Sequence, residues 1–194
     1  MPHTKDFVID AAPVCDSPGL QEREGLEQFQ ASLITRMAAS DNESMRSRRL
    51  AVAMGEQHYL IPLAQAGEIV PLAGLPVTPV PATQAWFLGL LNIRGSLIGL
   101  ADLMGLAEAA LQEIGRGSHA LLLADGLAPH CALLLSRVLG LRDITEMTRI
   151  SKNFETEIAL PGINGRYKDN SGQQWDELDL SQLIQDSRFL QIGR

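Results

Sequence analysis

The chain has 194 residues, of which 45% are hydrophobic and 20% charged, and its net charge is −7. This composition is typical of a globular protein with one sizeable core or two small ones. The acidic balance and the lack of a basic stripe argue against nucleic acid or an anionic membrane surface as a partner. No apolar run is long enough to enter a bilayer directly, the first residues show no signal pattern, and the two cysteines are expected to be free thiols, so we expect a cytoplasmic protein.

The density of charge divides the chain near residue 47. Only nine of the 92 residues from Leu50 to Leu141 are charged, which indicates a dense core. Upstream, a Ser-Pro start signal and four apolar residues at helical spacing predict one helix, followed by a polar linker. The apolar residues of this helix are Leu26, Phe29, Leu33 and Met37. We therefore expect residues 1–47 to form a helical extension and linker, and residues 48–194 to form the main domain.

Short apolar runs separated by turn residues follow from residue 48 onward. They predict strands at Leu50–Met54, Tyr59–Ile61 and Ala66–Val70. Four prolines between residues 71 and 81 exclude a helix there and favour extended edge structure. A short helix is predicted over Thr83–Leu88.

The second half of the chain continues this pattern after a loop at Leu106–Ser118. Strands are predicted at His119–Ala124, Cys131–Leu135, Val138–Leu141 and Gln174–Leu178, with a hairpin loop at residues 168–172 and a short helix from Leu180. Many short strands at this spacing predict a mainly β protein built from small barrels.

A tight corner at Asn92-Ile-Arg-Gly95 joins two apolar runs and predicts a hairpin, with Asn92 and Gly95 as its structural turn residues. Burying the Arg94 guanidinium without a partner would cost several kcal/mol, so we expect it at the surface, aimed by a stiff turn. Glu68 is a second charge that interrupts an apolar strand. Isolated charges in an apolar surface are typical of protein interfaces, in which arginine is enriched.

A short internal repeat is also visible. Asp102-Leu103-x-x-Leu106 and Asp179-Leu180-x-x-Leu183 each follow an apolar hairpin, and each aspartate is predicted to cap a short helix. The alignment of the two halves pairs Gly89, Asn92 and Arg94 with Gly162, Asn164 and Arg166.

The sequence offers little for catalysis, so we predict no catalytic residue, no metal site and no cofactor. Metal-ligand spacings, a phosphate loop and a nucleophile elbow are all missing from it. Asp176 and Glu177 are expected to lie on a solvated strand face. One enzymatic alternative stays open, a small hydrolase that uses His130 with Asp125 or Cys131, and a cleft that holds all three would favour it.

The segments around the corner resemble the CheW-like family of chemosensory adaptors, over roughly Leu50 to Ile184. The family signature is matched by Gly89-Leu-Leu-Asn-Ile-Arg-Gly95, Asp102-Leu103, Gly67-Glu-Ile-Val70 and Leu178-Asp-Leu-Ser-Gln-Leu-Ile184. The resemblance implies two five-stranded, SH3-like barrels related by a pseudo-two-fold axis, and it implies no catalysis.

Such adaptors bind the cytoplasmic tip of a chemoreceptor and the regulatory domain of a CheA-type histidine kinase. The resemblance places family contact positions on Ala66, Glu68, Gly89 and Arg94, and a turn position linked to coupling on Gly162. A barrel scaffold that has no kinase partner is the remaining alternative.

Two features depart from the common family pattern. The chain reads Leu135-Ser-Arg137 where the family usually carries Val-Asp, and the loss of that acid implies a changed receptor or kinase preference. The amino-terminal extension and the ending from Trp175 to Leu190 resemble the pilus-associated members of the family, which act in twitching motility. The sequence leaves the pathway itself open.

Overall fold

The computed structural model describes residues 46–150 and 160–194. The predicted amino-terminal helix and most of the extension lie outside these ranges. No helix within them is long and apolar enough to cross a membrane.

The described residues form eleven strands and three one-turn helices. The strands are β1 (Arg48–Met54), β2 (Gln57–Pro62), β3 (Ala66–Pro71), β4 (Phe87–Ile93), β5 (Ser96–Ala101), β6 (His119–Leu123), β7 (Cys131–Leu135), β8 (Arg137–Asp143), β9 (Thr148–Ile150), β10 (Ile163–Lys168) and β11 (Gln174–Leu178). The helices are α1 (Leu103–Leu106), α2 (Leu180–Leu183) and α3 (Ser187–Leu190), and single 3₁₀ turns cover Leu63–Gln65 and Ile144–Glu146. The predicted mainly β fold is confirmed.

Two sheets divide these strands between them. One has five strands in the order β3-β6-β7-β5-β4, and the other has six in the order β8-β1-β2-β11-β10-β9. The sixth strand is β9, and its counterpart in the smaller sheet is the single bridge between Thr78 and Leu90. Neighbouring strands are antiparallel except for β5 with β7 and β11 with β2.

The two sheets exchange hairpins. β1 and β2 precede β3 in the chain, yet they pair with β8 and β11 in the six-stranded sheet. β6 and β7 precede β8, yet they pair with β3 and β5 in the five-stranded sheet. Each sheet is therefore completed by a hairpin from the other half of the sequence.

The exchanged hairpins also carry the core between the sheets. Alternate residues of a strand face opposite ways. One face of β1, β2, β6 and β7 contributes Leu50, Ile61, Leu121 and Leu133, in that order, to a large cluster that contains residues of both sheets. The opposite faces enter two smaller clusters, one around Leu91 and Leu134 and one around Leu60 and Trp175. Each sheet thus surrounds a small core of its own and shares a larger one.

The helix predicted over Thr83–Leu88 is wrong. Thr83 forms a bridge with Gly193, and the Trp86 carbonyl accepts a hydrogen bond from Asp102 N at 2.8 Å. Phe87 and Leu88 already belong to β4. Because distant partners use these backbone groups, the segment does not form a helix.

The internal repeat is present, but its predicted alignment is wrong by three or four residues in the second half. Both hairpins carry a bulge, after Phe87 in β4 and after Ile163 in β10. When the two bulges are matched, Gly89 corresponds to Gly165 and Trp86 corresponds to Gly162. The second pair is equivalent in its hydrogen bonds too, since the Trp86 carbonyl accepts from Asp102 N and the Gly162 carbonyl accepts from Asp179 N. The two aspartate caps are confirmed, since Met104 N donates to Asp102 at 3.0 Å and Ser181 N donates to Asp179 at 2.9 Å.

Candidate functional site

The β4–β5 hairpin turns through two residues, Arg94 and Gly95, and the hairpin predicted at this corner is confirmed. Both have positive φ angles, 51° and 87°. Two residues of positive φ form the type I′ turn, which suits the twist of paired strands and favours asparagine or glycine. The Asn92 side chain accepts a hydrogen bond from Gly95 N at 2.9 Å and fastens the turn. An arginine in this left-handed region is strained by roughly 1 kcal/mol or more.

The Arg94 side chain forms a two-pronged ion pair with Glu68. Its Nη1 donates to Oε2 at 3.0 Å, and its Nη2 donates to Oε1 at 2.6 Å. Glu68 lies on β3 and Arg94 follows β4, and these two strands are the edges of the five-stranded sheet. The pair therefore links both edges. The two side chains remain 78% and 41% exposed, so the pair contributes at most about 1 kcal/mol to stability.

A cleft of about 330 Å³ opens beside this pair. Its apolar lining includes Ile93, Ile98 and Leu122, and Glu68 and Arg94 form part of its rim. On the hairpin itself, Leu97 is 61% exposed. The site thus combines an exposed guanidinium with apolar surface.

Asp125, His130 and Cys131 line the same cleft, as the hydrolase alternative requires. Within residues 46–150 and 160–194, however, no hydrogen bond joins these three side chains. Burial raises the pKa of the Cys131 thiol to about 11, so the thiol is protonated at neutral pH. Activation of a nucleophile needs a hydrogen-bonded base or a lowered pKa. The geometry therefore does not support a nucleophilic site here.

The other predicted site residues lie in different settings. Ala66 begins β3, two residues before Glu68, and packs against the shared core. Gly89 is buried in β4 with a φ of 134°, and a side-chain carbon there would lie 2.2 Å from the Thr78 carbonyl oxygen. Gly162 precedes β10 of the six-stranded sheet, and a side-chain carbon there would lie 2.6 Å from the Asp179 carbonyl oxygen. The structure brings Ala66, Glu68 and Arg94 onto neighbouring elements but keeps Gly162 on the other sheet.

The expectation of a solvated acidic face near the carboxyl terminus is wrong. Asp176 and Glu177 are buried, and each carries an arginine partner. Arg166 donates to both oxygens of Asp176 at 2.6 and 2.9 Å, and Arg49 Nε donates to Glu177 at 2.8 Å. Burial, and then the negative charge of Asp176, raise the pKa of the neighbouring Tyr59 well above its usual range. The Glu177 partner lies 128 residues away, so spacing alone carried no signal of that pair.

Comparisons with known proteins agree with this architecture. The chain is 26% identical to the protein PilI of Pseudomonas aeruginosa over 141 residues, which cover 72% of this chain and 76% of that protein. The crystal structure of the scaffolding protein TtCheW from Thermoanaerobacter tengcongensis superposes with a TM-score of 0.60 at 17% identity, over 74% of this chain and 95% of that one. A sequence model of the CheW-like domain matches residues 48–188, which is most of the chain. The chain belongs to the family of CheW-like domain proteins.

Proposed function

We propose that this protein is a non-catalytic, cytoplasmic adaptor that couples chemoreceptors to a CheA-type histidine kinase in a chemosensory array. Residues 48–194 would form the adaptor domain and residues 1–47 an extension of it. Family membership supports an adaptor, and the likeness to PilI favours a pilus-linked system, in which the output is twitching motility. No cofactor or nucleic acid enters this proposal.

The observation that carries the proposal is the conformation of Arg94. Glycine or asparagine would occupy the type I′ turn with less strain. The arginine is nevertheless held there, and its guanidinium is largely exposed. Ala82, Glu108 and His130 also have positive φ angles, but of these four residues only Arg94 has its side chain in an ion pair. Strain combined with a directed side chain is most economically explained by a role for that side chain.

The ion pair with Glu68 defines how a partner would be recognised. Two of the five guanidinium N–H groups bond to Glu68, so others remain free to donate to a partner carboxylate or carbonyl. Leu97 and the apolar cleft would bury against the same partner. Ala66 and Glu68 would supply the β3 side of this surface, while Gly89 would keep β4 in place beneath it. Gly162 would act on the other sheet, where a second partner binds.

The receptor and the kinase would then be coupled because the adaptor holds them in fixed positions relative to each other. The two sheets share one large core, so partners on separate faces contact a single rigid body. A coupling free energy of about 1–3 kcal/mol between two binding sites changes affinity about 5- to 150-fold.

The first test replaces Arg94 and measures binding and stability separately. We expect Arg94→Ala to leave the melting temperature within about 3 °C of the wild type, because an exposed ion pair contributes little. The same variant should lose capture of a receptor tip and of a kinase regulatory domain in pull-down experiments. Arg188→Ala, which removes another exposed arginine that is paired with a carboxylate, that of Asp186, is the matched control and should bind normally.

A charge exchange separates the ion pair from the binding role. The double variant Glu68→Arg, Arg94→Glu can form the intramolecular pair again but presents the opposite charges to a partner. We expect it to melt like the wild type and to bind neither partner. Wild-type binding by this variant would show that only the internal pair matters. Capture of the receptor tip alone by the wild-type protein would favour a scaffold without a kinase partner.

A further inference from the structure

In the connection between α1 and β6, a single residue, Gln112, makes the hydrogen bonds of the middle part. We call residues 107–118 the strap. Its first residue is bonded back to α1 through Ala107 N and the Leu103 carbonyl at 3.0 Å, and its end is closed by a turn in which Ser118 N donates to the Gly115 carbonyl at 3.1 Å. Between these ends, Leu111 and Ile114 are 47% and 43% exposed.

Gln112 makes all the hydrogen bonds that the structure shows for residues 110–114. Its backbone N–H donates to Asp102 Oδ2 at 2.6 Å, and its side-chain Nε2 donates to Asp102 Oδ1 at 2.7 Å. Its Oε1 accepts from Gly55 N at 2.8 Å and from Ser136 Oγ at 2.7 Å. Both ends of the amide are therefore satisfied.

The groups that Gln112 contacts belong to different parts of the fold. Asp102 is fully buried, follows β5 of the five-stranded sheet and caps α1. Gly55 forms the turn between β1 and β2 of the six-stranded sheet, and Ser136 is the residue between β7 and β8. One side chain thus joins the strap to both sheets.

At the other aspartate cap, Asp179, a glutamine that lies outside any long connection makes the corresponding hydrogen bonds. There, Gln65 Nε2 donates to Asp179 at 2.8 Å, and Gln65 Oε1 accepts from Leu180 N at 2.8 Å. Gln65 lies in the single 3₁₀ turn that connects β2 directly to β3. The equivalent glutamine at Asp102 lies instead at the centre of a long, largely exposed connection.

We propose that Gln112 is a positioning residue whose hydrogen bonds, here called the latch, hold the strap against the fold. When these bonds break, the strap is released and the hydrogen bonding of both sheets changes. Release withdraws two of the three hydrogen-bond donors from the buried Asp102, so the cap of α1 weakens. The same event removes one of the two acceptors of Gly55 N and leaves Ser136 Oγ at 2.9 Å, so the β1–β2 turn is held less firmly.

Limited proteolysis of the full-length protein tests the latch, because Arg116 lies in the strap and is exposed. Trypsin cleavage at the Arg116–Gly117 bond is followed by mass spectrometry. Cleavage after Arg166, which is half-buried, paired with Asp176 and part of the central strand β10, reports global unfolding. Since cleavage tracks the population of the open form, we expect Gln112→Ala to accelerate the strap cut roughly tenfold or more. Cleavage after Arg166 should change far less. Glu113→Gln, an exposed neighbour, is the control and should match the wild type.

A second variant keeps the test decisive if Gln112→Ala does not fold. Ser136→Ala removes one latch contact from a residue outside the strap, and we expect an intermediate acceleration of the Arg116 cut with an unchanged circular dichroism spectrum. Amide exchange at Gly55 should accelerate in Gln112→Ala, and it is measured in that variant alone because Ser136 Oγ also accepts from Gly55 N. The proposal is overturned if the strap cut is unaffected by the replacements, or if it accelerates only in step with cleavage after Arg166. Neither result bears on the partners proposed above.

Discussion

Within residues 46–150 and 160–194, aspartate side chains act mainly as acceptors for nearby backbone N–H groups. Five of the seven aspartates there accept from the residue two positions later, at distances between 2.8 and 3.0 Å. They are Asp102, Asp143, Asp169, Asp179 and Asp186. Short polar side chains favour this local bond at helix starts and turns. The caps at Asp102 and Asp179 were predictable, because each aspartate precedes an apolar Leu-x-x-Leu pattern.

Asp169 leads to a prediction about acid stability. Its carboxylate accepts from the Ser171 hydroxyl, the Trp175 indole and the N–H groups of Gln173 and Ser171, and these bonds lower its pKa to about 2. A carboxyl group whose pKa is lowered by folding stabilises the folded state at pH values above its unfolded pKa of about 3.9. This stabilisation is lost as the pH falls towards 2. We therefore expect Asp169→Asn to be less stable than the wild type at pH 5, with the two urea midpoints converging near pH 2. A difference that stays constant between pH 5 and pH 2 would contradict this role.

Residue-scale pairing was the least predictable part of the site. The sequence indicated that Arg94 would be exposed and aimed by a hairpin, but it did not indicate that Glu68 is its partner. The two residues are 26 positions apart in the sequence. They meet because the five-stranded sheet curls until its two edge strands, β3 and β4, come close to each other. Strand order decides this contact, and strand order is not encoded in local spacing.

Elements were predictable where turn residues and apolar alternation agree. The strand Gln174–Leu178 has the predicted bounds, and Cys131–Leu135 does as well. The helix predicted over Thr83–Leu88 was wrong because the backbone groups of this segment form hydrogen bonds with residues 192–194 and with Asp102. The short β9 was missed because three residues are too few for a periodic pattern.

Two glycines of the β4–β5 hairpin should respond differently to substitution. Gly95 has a positive φ but open space around it, so Gly95→Ala should cost about 1 kcal/mol of unfolding free energy from backbone strain. Gly89 combines a positive φ with the close approach of the Thr78 carbonyl, so Gly89→Ala should cost roughly 3 kcal/mol or more. Urea unfolding of both variants measures the difference. Equal losses would show that the approach of Thr78 is relieved without consequence.

At the scale of the whole described structure, the exchanged hairpins bind the two sheets into one folding unit. Neither sheet can be completed by a continuous half of the chain. The internal repeat was visible in the sequence, but the exchange was not, because β5 with β7 and β11 with β2 pair across long separations. The spacing of the strands predicted small barrels, and the family resemblance implied that there are two of them, each with five strands.

This organisation predicts a single unfolding transition for residues 46–194. Trp86 belongs to the shared core and Trp175 to the core of the six-stranded sheet, so they report on different regions. We expect variants that retain only one tryptophan, Trp86→Phe or Trp175→Phe, to show fluorescence midpoints in urea that coincide with the circular dichroism midpoint of the same variant. Two separated transitions within one variant would mean that the sheets fold independently.

The exchange also gives the strap a defined place, between the two halves of the chain. Residues 48–106 run from β1 to α1 and residues 119–183 run from β6 to α2, and the two halves share their order of strands and final helix, apart from the additional β9 of the second half. Each half gives its first hairpin to the other, which is how two subunits of a domain-swapped dimer are built. Residues 107–118 are then the tether that turns two such subunits into one chain. Gln112 lies at the midpoint of that tether, where it fastens the junction to both of the units that it joins.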